Sequence, residues 1–324
     1  MSVSGTAGGS LGATGEFGLI ARVVARLRQG PEVLVGPGDD AAVVAAADGR
    51  VVMTVDVLVE GRHFRRDWSS GYDVGRRAAA ASLADVVAMG ARPTALVVAL
   101  AAPGDLELAW AEALTDGLAD EAGTVGASIA GGDVSGAESV TVSVTAIGDL
   151  EGRPPLTRAG AAPGDRVVVI GRLGWAAAGL ALLERGEAEH PLADAHRRPL
   201  VDYDAALAAA RAGLLTSLID VSDGLVADLG HVAEASAVRI ELDSAALPVP
   251  AELAAAARSF GIDPLEWVTT GGDDHAFAGT VAPPDVVAAV ANGALLVGTV
   301  TGGPPTVVLS DRPTPAHGGH EHFS

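Results

Sequence analysis

The spacing of apolar residues changes period repeatedly along this chain, from the three-to-four step of helices to the short apolar runs of strands. Phe17, Ile20, Val23, Val24 and Leu27 fall on one helical face, which predicts an amphipathic helix over 16–29 that Gly30-Pro31 ends. β-Branched runs at 33–35, 41–45 and 51–59, separated by Gly, Pro and Asp, predict strands. Helices are predicted over 72–89 and 106–122, and strands at 94–101, 127–130 and 139–147.

Residues 151–164 carry Gly, Pro and Arg without a periodic apolar pattern, which places a domain boundary there. The alternation then restarts. A strand is predicted at 166–170, helices at 175–185, 203–212 and 222–235, a strand at 238–242, a helix at 251–260 and strands at 275–281 and 294–300. Strands and helices mixed in both halves predict two α/β (α+β) domains, over 16–150 and 151–324, after a disordered tail at 1–15.

Composition narrows what such domains could do. With 49% hydrophobic residues in 324, sizeable cores are available, and only 3% aromatics means that Ala, Val and Leu fill them. The formal charge of −20 repels nucleic-acid backbones and anionic lipid head groups, so neither is an expected partner. The longest uncharged stretch, 286–310, is broken by Asn292-Gly293, Gly302-Gly303 and Pro304-Pro305, and reads as elements joined by turns rather than a membrane span. The chain has no cysteine and no lysine. The first absence removes disulfides and thiolate chemistry and fits a cytoplasmic protein. The second removes a Walker A loop, the strand lysine of protein kinases and a Schiff base. An anionic substrate would have to be held by arginine, backbone amides or metal ions.

Five places set carboxylates inside apolar or glycine-rich surroundings: Gly38-Asp39-Asp40 between strands, Asp56 within 51–59, Asp85 in an apolar helix, Asp133 after Gly131-Gly132, and Asp220 with Asp223 in Ile219-Asp220-Val221-Ser222-Asp223-Gly224. Singly, each could be an ordinary turn or helix cap. Asp56 and Asp85 fit that reading least, because an ionised carboxylate buried without a partner is costly. Mg²⁺ takes carboxylate oxygens and keeps places for water and phosphate. It also relieves the repulsion of about 4 kcal/mol per unit charge pair at 4 Å that would meet a nucleotide in such a pocket. Gly132 could let backbone amides approach phosphate, Ser222 opens the next helix, and Arg158 could clamp a phosphate or form a surface ion pair.

In order, Gly15-Glu16-Phe17, Gly38-Asp39-Asp40-Ala41, the run Asp56-Val57-Leu58-Val59-Glu60-Gly61-Arg62-His63-Phe64, and Ser82-Leu83-Ala84-Asp85 resemble the thiamine-monophosphate kinase family. So do Gly131-Gly132-Asp133, Leu156-Thr157-Arg158-Ala159-Gly160, Ile219 with Asp220 to Gly224, and Gly271-Gly272-Asp273-Asp274. The resemblance implies the aminoimidazole ribonucleotide synthetase-like fold, with two α/β domains, the first binding metal and ATP, and a homodimer paired through the amino-terminal sheets. It implies transfer of phosphate from ATP to thiamine monophosphate. It also implies Mg²⁺, as several ions, on Asp40, Thr54, Val55 (through its backbone), Asp56, Asp85, Asp133, Asp220 and Asp223. Gly132, Asp133, Arg158 and Ser222 would contact ATP, and His63, Asp273 and His320 the thiamine phosphate. Asp220 and Arg158 would be the catalytic groups, with no covalent phosphoenzyme. Since the second pKa of a phosphate monoester is about 6, the acceptor oxygen needs no dedicated base.

Three positions depart from the pattern. Asp273 stands where the family usually has Glu, His275 where it has Tyr, and His320 at a place often aromatic. Two other readings stay open on sequence alone: another ATP-using enzyme of the same fold, or a nucleotide sensor without turnover.

Overall fold

The computed structural model describes residues 10–14, 16–36 and 43–314, the side chains of residues 12, 16 and 17 excepted. Two compact units emerge. One comprises the described residues of Met1–Ser82 with Pro93–Gly148, the other Leu83–Arg92 with the described residues of Asp149–Ser324.

The first unit begins with helices α1 (Leu11–Thr14) and α2 (Glu16–Val24), a two-stranded ribbon of β1 (Val33–Val35) and β2 (Val43–Val44), and strand β3 (Val52–Val59). Helix α3 (Gly71–Ala88), β4 (Arg92–Ala102), α4 (Leu108–Thr124), β5 (Ser128–Gly136) and β6 (Thr141–Asp149) follow. The sheet order is β3-β6-β4-β5, so β3 and β5 are its edges. β3 pairs antiparallel with β6 from Val52↔Gly148 to Val59↔Thr141, and β4 runs parallel to β5. Along β3 the pleat sends Thr54, Asp56 and Leu58 to one face and Met53, Val55 and Val57 to the other, where those three are 69%, 60% and 46% exposed.

Within the expected tail, Leu11–Thr14 forms a helical turn. Leu11 is buried and its N–H donates to Leu106 O at 3.0 Å, so burial of one leucine overrides the polar, Gly-rich composition there. Residues 1–9, Asp39, Asp40 and His320 lie outside the described residues.

The second unit holds β7 (Arg166–Ile170), α5 (Trp175–Glu184), α6 (Pro191–Arg197), α7 (Tyr203–Arg211), β8 (Leu215–Val221) and α8 (Leu225–Ser236). Then come β9 (Arg239–Leu242), α9 (Ala251–Phe260), α10 (Pro264–Thr270), β10 (Ala276–Val281), α11 (Val286–Ala291), β11 (Leu295–Thr301) and β12 (Thr306–Leu309). The six strands order as β12-β9-β11-β7-β10-β8, antiparallel except for β12 against β9. The core is aliphatic: Val167, Val169, Ile219, Leu225, Leu229, Ile240 and Leu253 are each at most 2% exposed. Burial of such side chains at roughly 25 cal/mol per Å² is what holds a unit poor in large rings together.

Glu151, with φ 52°, gathers three arginines at the start of the inter-strand segment: Arg92 at 3.2 Å, Arg153 at 2.8 Å and Arg211 at 3.1 Å. The Arg211 hydrogen bond above all, then Arg153, holds its carboxyl down at about 2. A depressed carboxyl stabilises the fold above its unfolded pKa, and that contribution is lost as pH falls through the folded value. Glu151→Gln is therefore expected to lower the thermal midpoint at pH 7, and the difference should shrink between pH 4.5 and 2. The gap is modest because the site is largely exposed. Melting curves across that range check this; a gap independent of pH would contradict it.

Candidate active site

Asp56 answers the question raised by a carboxylate in an apolar strand. Its pleat position turns it to the face where α3 runs, and Ser82 Oγ donates to Asp56 Oδ2 at 2.7 Å while also reaching Val144 O at 3.0 Å. Among the described residues its partner is a hydroxyl and not an arginine. Thr54 shares this face two residues earlier, and Asp85 lies three residues beyond Ser82 on α3, half-buried. Val55 points to the opposite, open face, leaving only its backbone for the role the resemblance assigns.

His63 follows the end of β3 in a tight turn. Its Nδ1 accepts Val59 N–H at 2.9 Å, which fixes the neutral tautomer with the proton on Nε2. Asp133 is exposed on the other edge strand, opposite Ala99. Gly132 has a packing reason of its own: an added Cβ would lie 2.0 Å from Val98 O, beside the bulge at Leu96/Val97. Gly131, in contrast, has open space around it. A cavity of ≈ 730 Å³ in this unit opens at the start of β5, between Arg26, Tyr72, Asp120 and Ser128. It is lined by none of the candidate residues, and Arg26 there is already paired with Glu112 and Asp116.

In the second unit Asp220, Ser222, Asp223 and Asp273 gather around the carboxyl end of β8, whereas the turn that carries Arg158 packs against its start. Asp220, only 6% exposed, sits opposite Phe277 of β10, and β8 ends one residue later. The chain then turns through Ser222 and Asp223 to the N-cap Gly224, and α8 begins at Leu225, three residues later than the periodicity indicates. Asp228, in the first turn of α8, accepts from Asp223 N–H at 3.1 Å and Gly224 N–H at 2.9 Å, a cap reached from inside the helix. Burial, with the charges of Asp220 and Asp223 adding, pushes the Asp228 carboxyl up to about 7. Two aspartates whose charges bear on a third, with no arginine paired to any of them among the described residues, are a concentration of charge that folding alone does not favour.

A second loop closes on the first. Asp273 N–H donates to Ser222 O at 2.8 Å and His275 N–H to Val221 O at 3.1 Å. Gly272 is required there, since a Cβ would lie 2.3 Å from Ser222 O; at Gly224 one would lie 2.8 Å from Thr270 C. Asp273 (φ 64°) and His275 (φ 51°) both hold the left-handed conformation, each at roughly 1 kcal/mol, a strain typical of residues kept in place for function. His275 Nδ1 lies 3.6 Å from Asp220 Oδ2, both side chains buried. The closeness of His275 to Asp220 has no signal in the local sequence pattern, where His275 stands out only as a departure from the family.

Arg158 opens a 3₁₀ turn, Arg158–Gly160, that is clamped to the same strand. Ser236 Oγ donates to Arg158 O at 2.7 Å, and a Cβ on Gly160 would lie 1.8 Å from Thr216 O of β8. The side chain is exposed, and no ion pair to it occurs among the described residues. Among the described residues no three His, Asp or Glu side chains are grouped so as to hold a metal ion. The donors are nonetheless hard carboxylate oxygens, the chemistry that suits Mg²⁺.

Comparison with known proteins places this architecture. Residues 38–150 match the AIR synthase related protein N-terminal domain and residues 162–309 the C-terminal domain, so the two units define an AIR synthase-related protein. The thiamine-monophosphate kinase of Mycobacterium tuberculosis is 47% identical over 313 residues, 95% of this chain and 92% of that one. The crystal structure of the Stenotrophomonas maltophilia thiamine-monophosphate kinase is 32% identical with a TM-score of 0.80, covering 91% of this chain and 96% of that one. AaThiL, in a structure complexed with AMPPCP and TMP, is 31% identical with a TM-score of 0.78, covering 98% and 100%. The chain belongs to the thiamine-monophosphate kinase family.

Proposed function

We propose that this chain transfers the γ-phosphoryl group of ATP to thiamine monophosphate, giving thiamine diphosphate and ADP. The observation that carries the reading is the 47% identity to a thiamine-monophosphate kinase across both units. The relative complexed with AMPPCP and TMP supports the same pair of substrates.

The family resemblance supplies a role for each group. The thiamine phosphate oxygen is largely deprotonated near neutral pH and serves as nucleophile without a base. His63 presents Nε2–H, and Asp273 a carboxylate fixed on a strained loop; with His320, which lies outside the described residues, they contact thiamine monophosphate. Gly132, Asp133 and Ser222 contact ATP, and Arg158 meets the charge that develops on the transferring phosphoryl oxygens. Thr54, Val55 through its backbone, Asp56, Asp85, Asp133, Asp220 and Asp223, with Asp40 outside the described residues, would hold Mg²⁺. When bound, Mg²⁺ neutralises phosphate charge that these carboxylates would otherwise repel. A cytoplasmic location accords with the cysteine-free composition.

The test is direct. Purified protein with Mg-ATP is expected to convert thiamine monophosphate, and not free thiamine, to the diphosphate, read by mass spectrometry. Tight ATP binding with no product would replace this reading by that of a nucleotide sensor, which the unusual Asp273 and His275 motivate.

We also infer a homodimer through the open face of the first unit's sheet. Met53, Val55 and Val57 form an exposed apolar row on edge strand β3, a surface that water does not favour and a second copy would cover. Val57→Asp is expected to give monomers by size exclusion with light scattering. A wild-type monomer at micromolar concentration would refute it.

A further inference from the structure

Asp274 takes no part in the roles above, yet it is the most enclosed carboxylate of the second loop, 5% exposed. Its two oxygens accept backbone N–H groups from the start of α5: Oδ2 from Gly174, and Oδ1 from Ala176 at 2.8 Å. Helix α5 has no side-chain cap of its own, because its N-cap position is Gly174 in the left-handed conformation. Asp274 therefore supplies, from about a hundred residues away, the acceptor that the first turn of α5 lacks. The neighbouring atoms confirm how closely the two segments fit. A Cβ on Gly171 would meet Ala276 at 3.3 Å, and one on Gly271 would meet Ala177 of α5 at 2.7 Å.

The residues on either side of Asp274, Asp273 and His275, both have left-handed backbone. A strained segment stays in place only if something outside it is fixed, and the backbone bonds to Ser222 and Val221 hold one side. The other side is held by the carboxylate between them.

We propose that Asp274 is a positioning residue for the reaction, which presents Asp273 to the thiamine phosphate by anchoring its loop on the first turn of α5. The inference rests on the reading of Asp273 as a substrate contact. The Asn variant is the informative one, since it keeps the shape but turns one acceptor into an NH₂ group facing an N–H.

Steady-state kinetics of the full chain would compare wild type with Asp274→Asn, Asp273→Ala and Ala181→Gly, the last loosening α5 away from the loop. Asp274→Asn is expected to lower kcat/KM for thiamine monophosphate roughly 10–10²-fold, through KM, with the KM for ATP changed less than about twofold. Ala181→Gly should leave the KM for thiamine monophosphate within about twofold of wild type. If Asp274→Asn changes only the melting temperature, or if Ala181→Gly gives the same KM shift, the residue is a structural cap and the inference falls. If Asp273→Ala raises that KM and Asp274→Asn does not, the inference falls while the substrate reading stands. If Asp274→Asn raises it and Asp273→Ala does not, Asp274 does not act through Asp273, and the inference and the Asp273 reading both fall. Should Asp274→Asn fail to fold, amide exchange of the wild type decides. Gly174 and Ala176 N–H should gain protection when thiamine monophosphate is added, and exchange indifferent to it would overturn the inference.

Discussion

Asp220→Asn is expected to lower kcat by about 10²–10³-fold, comparable to removing one preorganised charge-stabilising group from an active site, while the protein stays folded. The second half of that expectation follows from the surroundings. Asp220 is buried near Asp223 and Asp228, and its charge is one of the causes that push the Asp228 carboxyl up to about 7. Removing a like charge relieves the folded state, so the variant should melt no lower than wild type at pH 7. Activity lost without stability lost is the signature of a residue kept for chemistry. Asp56→Asn should behave similarly, because an amide oxygen can still accept from Ser82 Oγ. Near-normal kcat in both variants would refute the assignment of these carboxylates to Mg²⁺.

The second large effect belongs to Arg158. Its backbone is pinned by Ser236 and by the close approach of Gly160 to β8, yet its guanidinium is exposed and makes no ion pair among the described residues. Little stability depends on it. Arg158→Ala is expected to reduce kcat by roughly 10³-fold, the lower range for an arginine that meets phosphoryl-transfer charge, with the melting temperature nearly unchanged. Arg158→Lys should recover only part of the loss, since a point charge lacks the planar fork that binds two phosphate oxygens. A loss below about tenfold in Arg158→Ala would assign the charge neutralisation to other groups.

Much of this was legible in the chain because local pattern and tertiary environment agree. The β-branched run at β3 is a strand, the apolar stretch of α3 is a helix, and Asp56 stands out because the pattern around it is so regular. The failures have physical causes. β8, the strand that carries Asp220, was not expected: Leu215-Thr216-Ser217-Leu218-Ile219 has no clean alternation, because nearly every residue of the strand is buried. β5 extends to Gly136, well past the expected end at Ala130, since pairing with β4 holds Gly131 and Gly132 extended against their own low propensity. α10 was missed although Asp263 before Pro264 is a legible start, its side chain accepting Leu265 N–H at 3.0 Å. The meeting of the Ser222 and Asp273 loops joins residues more than fifty positions apart, and no spacing rule reaches that far.

The interlock of those two loops also bears on how the protein could be redesigned. Gly224 touches Thr270, and Gly272 touches Ser222, each with less clearance than a methyl group needs. Neither segment can accept a side chain at these points unless the opposing one is rebuilt. Directed evolution toward an altered thiamine analogue would gain little from randomising 271–275 alone, since many clones would carry a steric clash rather than a new preference. Libraries should instead exchange 221–225 and 270–276 together, as paired cassettes taken from one parent.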